Sequence, residues 1–232
     1  MITAAALCAS PPLLHPDLTG REAVVPELRE LRAACAQAAG RLLDGDPEEI
    51  VVVGPAAITG EWDAAARLDP AAFAPRAAGT GTRAATRSLP LALGLGAMLL
   101  DQAGYRGRRR LQAVGQDEPA TACAKLGAGL GDAGGRTALL VLGDGSARRS
   151  LKAPGHLDLR AAGFDAEVER AVRAGHLGLL LRLDQALARD LMVTGRPAWQ
   201  VLAGAMRDLA PAAEVLYRGD PFGVAYLVAT VY

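Results

Sequence analysis

The sequence predicts an α/β fold with helices on both sides of a mostly parallel sheet, and three observations predict it. Short apolar runs at residues 2–9, 50–53 and 137–142 each end on a proline or glycine exit: Pro11-Pro12, Gly54-Pro55 and Gly143. Stretches with apolar residues at three- and four-residue steps separate these runs, and strand alternating with helix is the pattern of a doubly wound sheet. The chain finishes differently, with apolar runs at 213–217 and 224–231 around Gly219-Asp220-Pro221-Phe222-Gly223, which reads as an antiparallel hairpin.

Taken in order, residues 2–9 form a strand buried on both faces, stopped by the proline pair. Across 22–43, Val25, Leu28, Leu31, Ala34, Cys35, Ala38, Leu42 and Leu43 mark one face of a helix that Gly45 and Pro47 close. Residues 50–53 are a β-branched strand. Residues 56–88 hold no period and read as a long excursion rich in Gly, Thr, Pro and Arg, with a short helix near 61–68. A buried helix at 89–102, a strand at 110–114 and a helix at 119–130 follow, with Gly104 beyond the first and Pro119 opening the last. Residues 137–142 are the strongest strand, running directly into Gly143-Asp144-Gly145-Ser146. Residues 164–192 are helical with a break near Gly175, and 198–209 are helical again. With no repeat and no linker, residues 1–232 are expected to form a single domain.

Lys plus Arg is 25 and Asp plus Glu is 25, so no overall field favours nucleic acid or an anionic membrane. Cys8, Cys35 and Cys123 are odd in number and widely spaced, which leaves no disulfide framework and no CxxC motif and points to a reducing cytoplasm. The amino terminus has no basic flank, and Pro11 and Pro12 interrupt it before a signal core is complete. The apolar run at 89–100 is shorter than the roughly 20 residues that span a bilayer.

In an open α/β sheet, ligands bind outside the carboxyl ends of the strands, so the exits at 10–12, 54–57 and 143–146 are where chemistry is expected. At the third exit Asp144 offers a carboxylate, Ser146 a hydroxyl, and Arg148, Arg149 and Lys152 positive charge suited to an anionic ligand. In the alternative reading the glycines only make the turn and the arginines pair with Asp158 and Asp165. GxxxxGK[ST], GxGxxG and GxSxG are all absent from this loop. His15, His156 and His176 form no metal-binding spacing; His156, in a turn just after the basic loop, is a candidate acid or base beside Asp144. Arg106, Arg108, Arg109 and Arg110 precede a strand without interleaved aromatics and read as a solvated loop.

The ordered set CASPPLLHP, VVVGP, LVLGDGSARRS, FDAEVERAVRAGHLGLLLRLD, VTGRPAWQVLAGAM and VLYRGDPFGVAYLVATVY resembles the catalytic fold of the class III extradiol dioxygenases, a superfamily to which the Memo-like proteins also belong. That resemblance implies a three-layer αβα sandwich around a mostly parallel sheet. It also implies Fe(II) held by two histidines and a carboxylate. The positions that match are Ser10, Pro55-Ala56-Ala57 and Arg196-Pro197-Ala198-Trp199, and Ala147 stands where the family has an acid/base histidine. The expectation is a member with a degenerate metal site and no cofactor. It would bind a small anionic molecule or a protein partner through Ser10, Asp144, Ser146, Arg148, Arg149 and Lys152. Two enzymatic alternatives stay open: an Fe(II) dioxygenase with substituted ligands, His15 among them, and a metal-free acid/base catalyst using Asp144 and His156. The closing hairpin offers a pairing edge for a homo-oligomer.

Overall fold

The computed structural model describes residues 1–19, 25–70, 88–132, 135–209 and 211–232. Its strands are β1 (Ile2–Cys8), β2 (Glu49–Ala56), β3 (Gly60–Trp62), β4 (Arg108–Gly115), β5 (Thr137–Leu142), β6 (Ala213–Gly219) and β7 (Tyr226–Val231). They form one sheet in the order β3-β4-β2-β5-β1-β7-β6. β4, β2, β5 and β1 are parallel, while β3, β7 and β6 join antiparallel.

The central strands are apolar on both faces because both are covered. Along β5, Leu139 and Val141 face one core, and Ala138, Leu140 and Leu142 face the other. The same alternation runs through β1 and β2, as the period of two requires. On the second face lie α2 (Pro26–Arg41) and α3 (Leu91–Gln102), after the four-residue α1 (Pro16–Thr19). On the first lie α4 (Ala120–Gly131), α5 (Arg160–Arg173), a 3₁₀ segment at Leu177–Arg182, α6 (Gln185–Asp190) and α7 (Arg196–Ala205). This is the expected three-layer arrangement, and Trp199 is anchored in the core of the first face. Burying each large aliphatic side chain of β5 contributes roughly 1.5–3 kcal/mol.

Three expectations need correction. The helix expected near 61–68 is absent: β3 pairs Glu61 with Gln112, Trp62 packs on the second core, and sheet pairing overrides a weak helical preference. Residues 71–87, the rest of that excursion, lie outside the described residues, as do 22–24 of the first predicted helix. The helix across 164–192 is divided into α5, the 3₁₀ segment and α6, with Gly175 at φ 67 making the first break. The arginine cluster is not a loose loop. Arg108–Arg110 open β4, where Arg108 and Arg110 pair with Glu49 and Arg109 pairs with Asp101. No helix among the described residues is long and apolar enough to cross a membrane.

Candidate functional site

β5 lies between β2 and β1, so the three predicted exits are neighbours at one end of the sheet. The Gly143 N–H donates to Cys8 O at 3.0 Å, and the Ser10 N–H donates to Asp144 Oδ1 at 2.7 Å. On the other side Asp144 N donates to Thr194 Oγ1 at 3.0 Å and Gly195 N returns to Asp144 O at 2.9 Å. Burial pushes the Asp144 carboxyl up to about 6, while the Ser10 hydrogen bonds hold it down.

The glycines of this loop serve the protein itself. A methyl at Gly143 would lie 2.3 Å from Gly195 Cα, and one at Gly145 would lie 2.7 Å from Asp165 Oδ1 and 2.9 Å from Ala225 Cβ. Neither has a positive φ. Close approach is therefore required, but by the start of α7 and by the strand connection before β7.

Ser146 is fully buried, its N–H and Oγ both donating to Asp165, at 2.9 Å and 2.5 Å. It orients that carboxylate and cannot itself reach a ligand. Burial, as the largest influence, raises the Asp165 carboxyl pKa against these donors and Arg149. Arg148 turns away, donating to the carbonyl of Gly155, with its Nε buried and unpartnered. Asp158 pairs with Arg160 rather than with either loop arginine. Lys152 and His156 are exposed on the turn that follows, His156 at φ 60, and no hydrogen bond joins His156 to Asp144.

Of the expected binding side chains, Arg149 alone lines the best-formed cavity, about 220 Å³ between α5 and the β6–β7 hairpin. Its Nε lies 2.8 Å from Asp220 Oδ2 and 3.8 Å from Asp165 Oδ2. Across the cavity Arg218 Nε sits 2.7 Å from Glu169 Oε2, and Glu169 also takes Arg173 at 2.8 Å. Neither Arg149 nor Arg218 makes a hydrogen bond through its terminal nitrogens to a described residue. Trp199, Tyr226, Val168 and Leu227 form the apolar part of the wall. Glu169, Arg218 and Asp220 escaped the sequence reading. Asp165 and Glu169 are one helical turn apart on α5, which puts them on one face; nothing local announces that the hairpin delivers Arg218 and Asp220 opposite.

The positions matched to iron ligands do not fit Fe(II). Ser10 Oγ is a poor neutral donor, residues 55–57 are Pro-Ala-Ala, and Arg196 is a buried cation, 2% exposed. Its guanidinium donates to Gln200 Oε1 at 2.7 Å and to the carbonyls of Gln116 and Glu118 at 2.5 and 3.0 Å, fastening α7 to the end of β4. His15 sits by Asp17, whose N–H donates to its Nδ1 at 3.3 Å. Among the described residues no group of three or more His, Cys, Asp or Glu side chains is arranged to hold a metal ion.

No protein-family model and no curated protein sequence matches the chain. A solved structure does: that of the uncharacterized protein JW3007 from Escherichia coli K12, at 16% identity and a TM-score of 0.54, covering 99% of both chains. The likeness, end to end at so low an identity, is one of fold: this chain shares with that bacterial protein the architecture of a mixed α/β sheet closed by an antiparallel hairpin.

Proposed function

We propose that residues 1–232 form one domain of the class III extradiol dioxygenase catalytic type, diverged from iron chemistry, that binds a small anionic molecule in the cavity between α5 and the hairpin. The observation that carries this reading is Arg149. Its Nε is engaged by Asp220 while both terminal nitrogens are without hydrogen bonds, so the fork is already oriented toward a carboxylate or phosphate. Orientation before binding lowers the entropic cost of association. The apolar wall suits a compact organic body, and about 220 Å³ is below the roughly 300–1,000 Å³ of drug-sized sites.

The test is a calorimetric titration of the full chain with a panel of small carboxylates and phosphate esters. A binder is expected whose affinity falls at least about tenfold in Arg149→Ala, the loss of one charge-assisted contact. Equal affinity in wild type and variant, or no binder in the panel, would overturn the assignment. Protein purified without air is expected to contain far less than stoichiometric iron and to consume no oxygen with catechol. The unpaired buried cysteines accord with a cytoplasmic setting.

A further inference from the structure

The charges around the cavity are mixed in a way a simple anion does not use. Its lining brings three carboxylates, Asp165, Glu169 and Asp220, against two guanidiniums, Arg149 and Arg218. Glu169 is fully engaged, with Arg173 on Oε1 and Arg218 on Oε2. Asp165 is engaged too, taking Ser146 on both oxygens. Asp220 differs: Oδ2 takes Arg149, Oδ1 accepts no hydrogen bond from a described residue, and the side chain is 44% exposed at the turn. One wall thus offers an unused anionic acceptor beside the unused fork of the arginine it anchors.

Resting on the reading that this cavity binds a carboxylate, we propose that its ligand is zwitterionic: a small molecule with a carboxylate for Arg149 and a protonated amine for Asp220 Oδ1. The two groups would be held a few atoms apart, because Arg149 and Asp220 are themselves hydrogen-bonded at 2.8 Å. A simple anion would meet the Arg149 fork but also Asp220, whose like charge disfavours it. A ligand carrying its own ammonium turns that repulsion into a contact. The apolar side of the cavity, with Trp199, Tyr226 and Val168, would take the rest of the molecule. An amino acid or a short peptide-like metabolite has this chemistry.

The experiment titrates the full chain with the protein amino acids, the corresponding deaminated acids and the corresponding decarboxylated amines. An amino acid should bind, and its deaminated and decarboxylated counterparts should each bind at least about tenfold more weakly. Asp220→Asn should weaken the amino acid by a similar factor and leave the deaminated acid unchanged, with the thermal midpoint of the variant reporting that it is folded. A deaminated acid that binds as tightly as its amino acid would overturn the zwitterion while leaving the anion-binding cavity standing. Binding by none of the three classes, or binding indifferent to both Arg149→Ala and Asp220→Asn, would overturn both.

Discussion

Two adjacent arginines with the same side chain have different work. Arg149 stands in the cavity wall, whereas Arg148 ties the turn at Gly155 and carries a buried, unpartnered Nε. Arg148→Ala is expected to cost about 1–2 kcal/mol in a urea titration, from the lost hydrogen bond and packing, and to leave ligand affinity intact. Arg149→Ala should show the reverse pattern. Asp144 gives a pH signature. Its folded pKa of about 6 is above that of the unfolded chain, so its neutral form favours folding. That contribution is complete below about pH 4 and is lost as pH rises through about 6. Asp144→Asn, which keeps an oxygen for the Ser10 N–H, should be more stable than wild type by roughly 1–3 kcal/mol at pH 7.5 and show little difference at pH 4. Denaturant midpoints at the two pH values measure it, and an unchanged difference between them would dismiss the carboxyl as its source. The sequence made Asp144 and Arg149 visible as chemistry at a strand exit. It could not separate Arg149 from Arg148, because their environments are set by Asp220 and Gly155, 71 and 7 residues away.

Among the elements, α4 and α7 depend on missing side chains. A methyl at Gly127 would lie 2.0 Å from Val201 O, and one at Gly204 would lie 2.2 Å from Ala124 O, both contacts with main chain that cannot swing aside. Gly127→Ala or Gly204→Ala should therefore destabilise the protein by roughly 2–4 kcal/mol despite the better helix propensity of alanine, as a shifted urea midpoint. Gly129, whose added methyl would meet nothing within 4 Å, is the matched control, expected to gain a few tenths of a kcal/mol up to about 1 as alanine. Helix and strand periods were readable along most of the chain because burial imposes them. β5 is predicted at its observed limits, Thr137–Leu142, since both neighbours bury it on both faces. β3 was not readable. Three residues give too short a pattern, and its pairing partner β4 lies some fifty positions on.

At the scale of the whole molecule, the hairpin completes both the sheet and the cavity. β7 pairs with β1 at Ala5–Val231, Ala6–Thr230 and Leu7–Ala229, and the connection before it is bonded to the β5 exit by Gly145 N to Ala225 O, Ala225 N to Ser146 O and Arg149 N to Gly223 O. A chain ending at residue 210 should lose cooperative unfolding as well as binding, because Tyr226, Val228, Ala229 and Val231 leave both cores. Circular dichroism during heating would reveal the loss. The alternating strands and helices announced the parallel body of the fold, and the glycine-rich turn announced the hairpin. What stayed hidden was that the hairpin reaches across the sheet to wall the cavity, a contact with no local pattern. The same arrangement has a mechanical consequence. Since β1 and β7 run antiparallel side by side, with the first residue of the chain near the last, a force applied between the two ends loads their pairs one after another. An optical trap would then register a low, early unzipping event that opens the pocket while the parallel core remains folded.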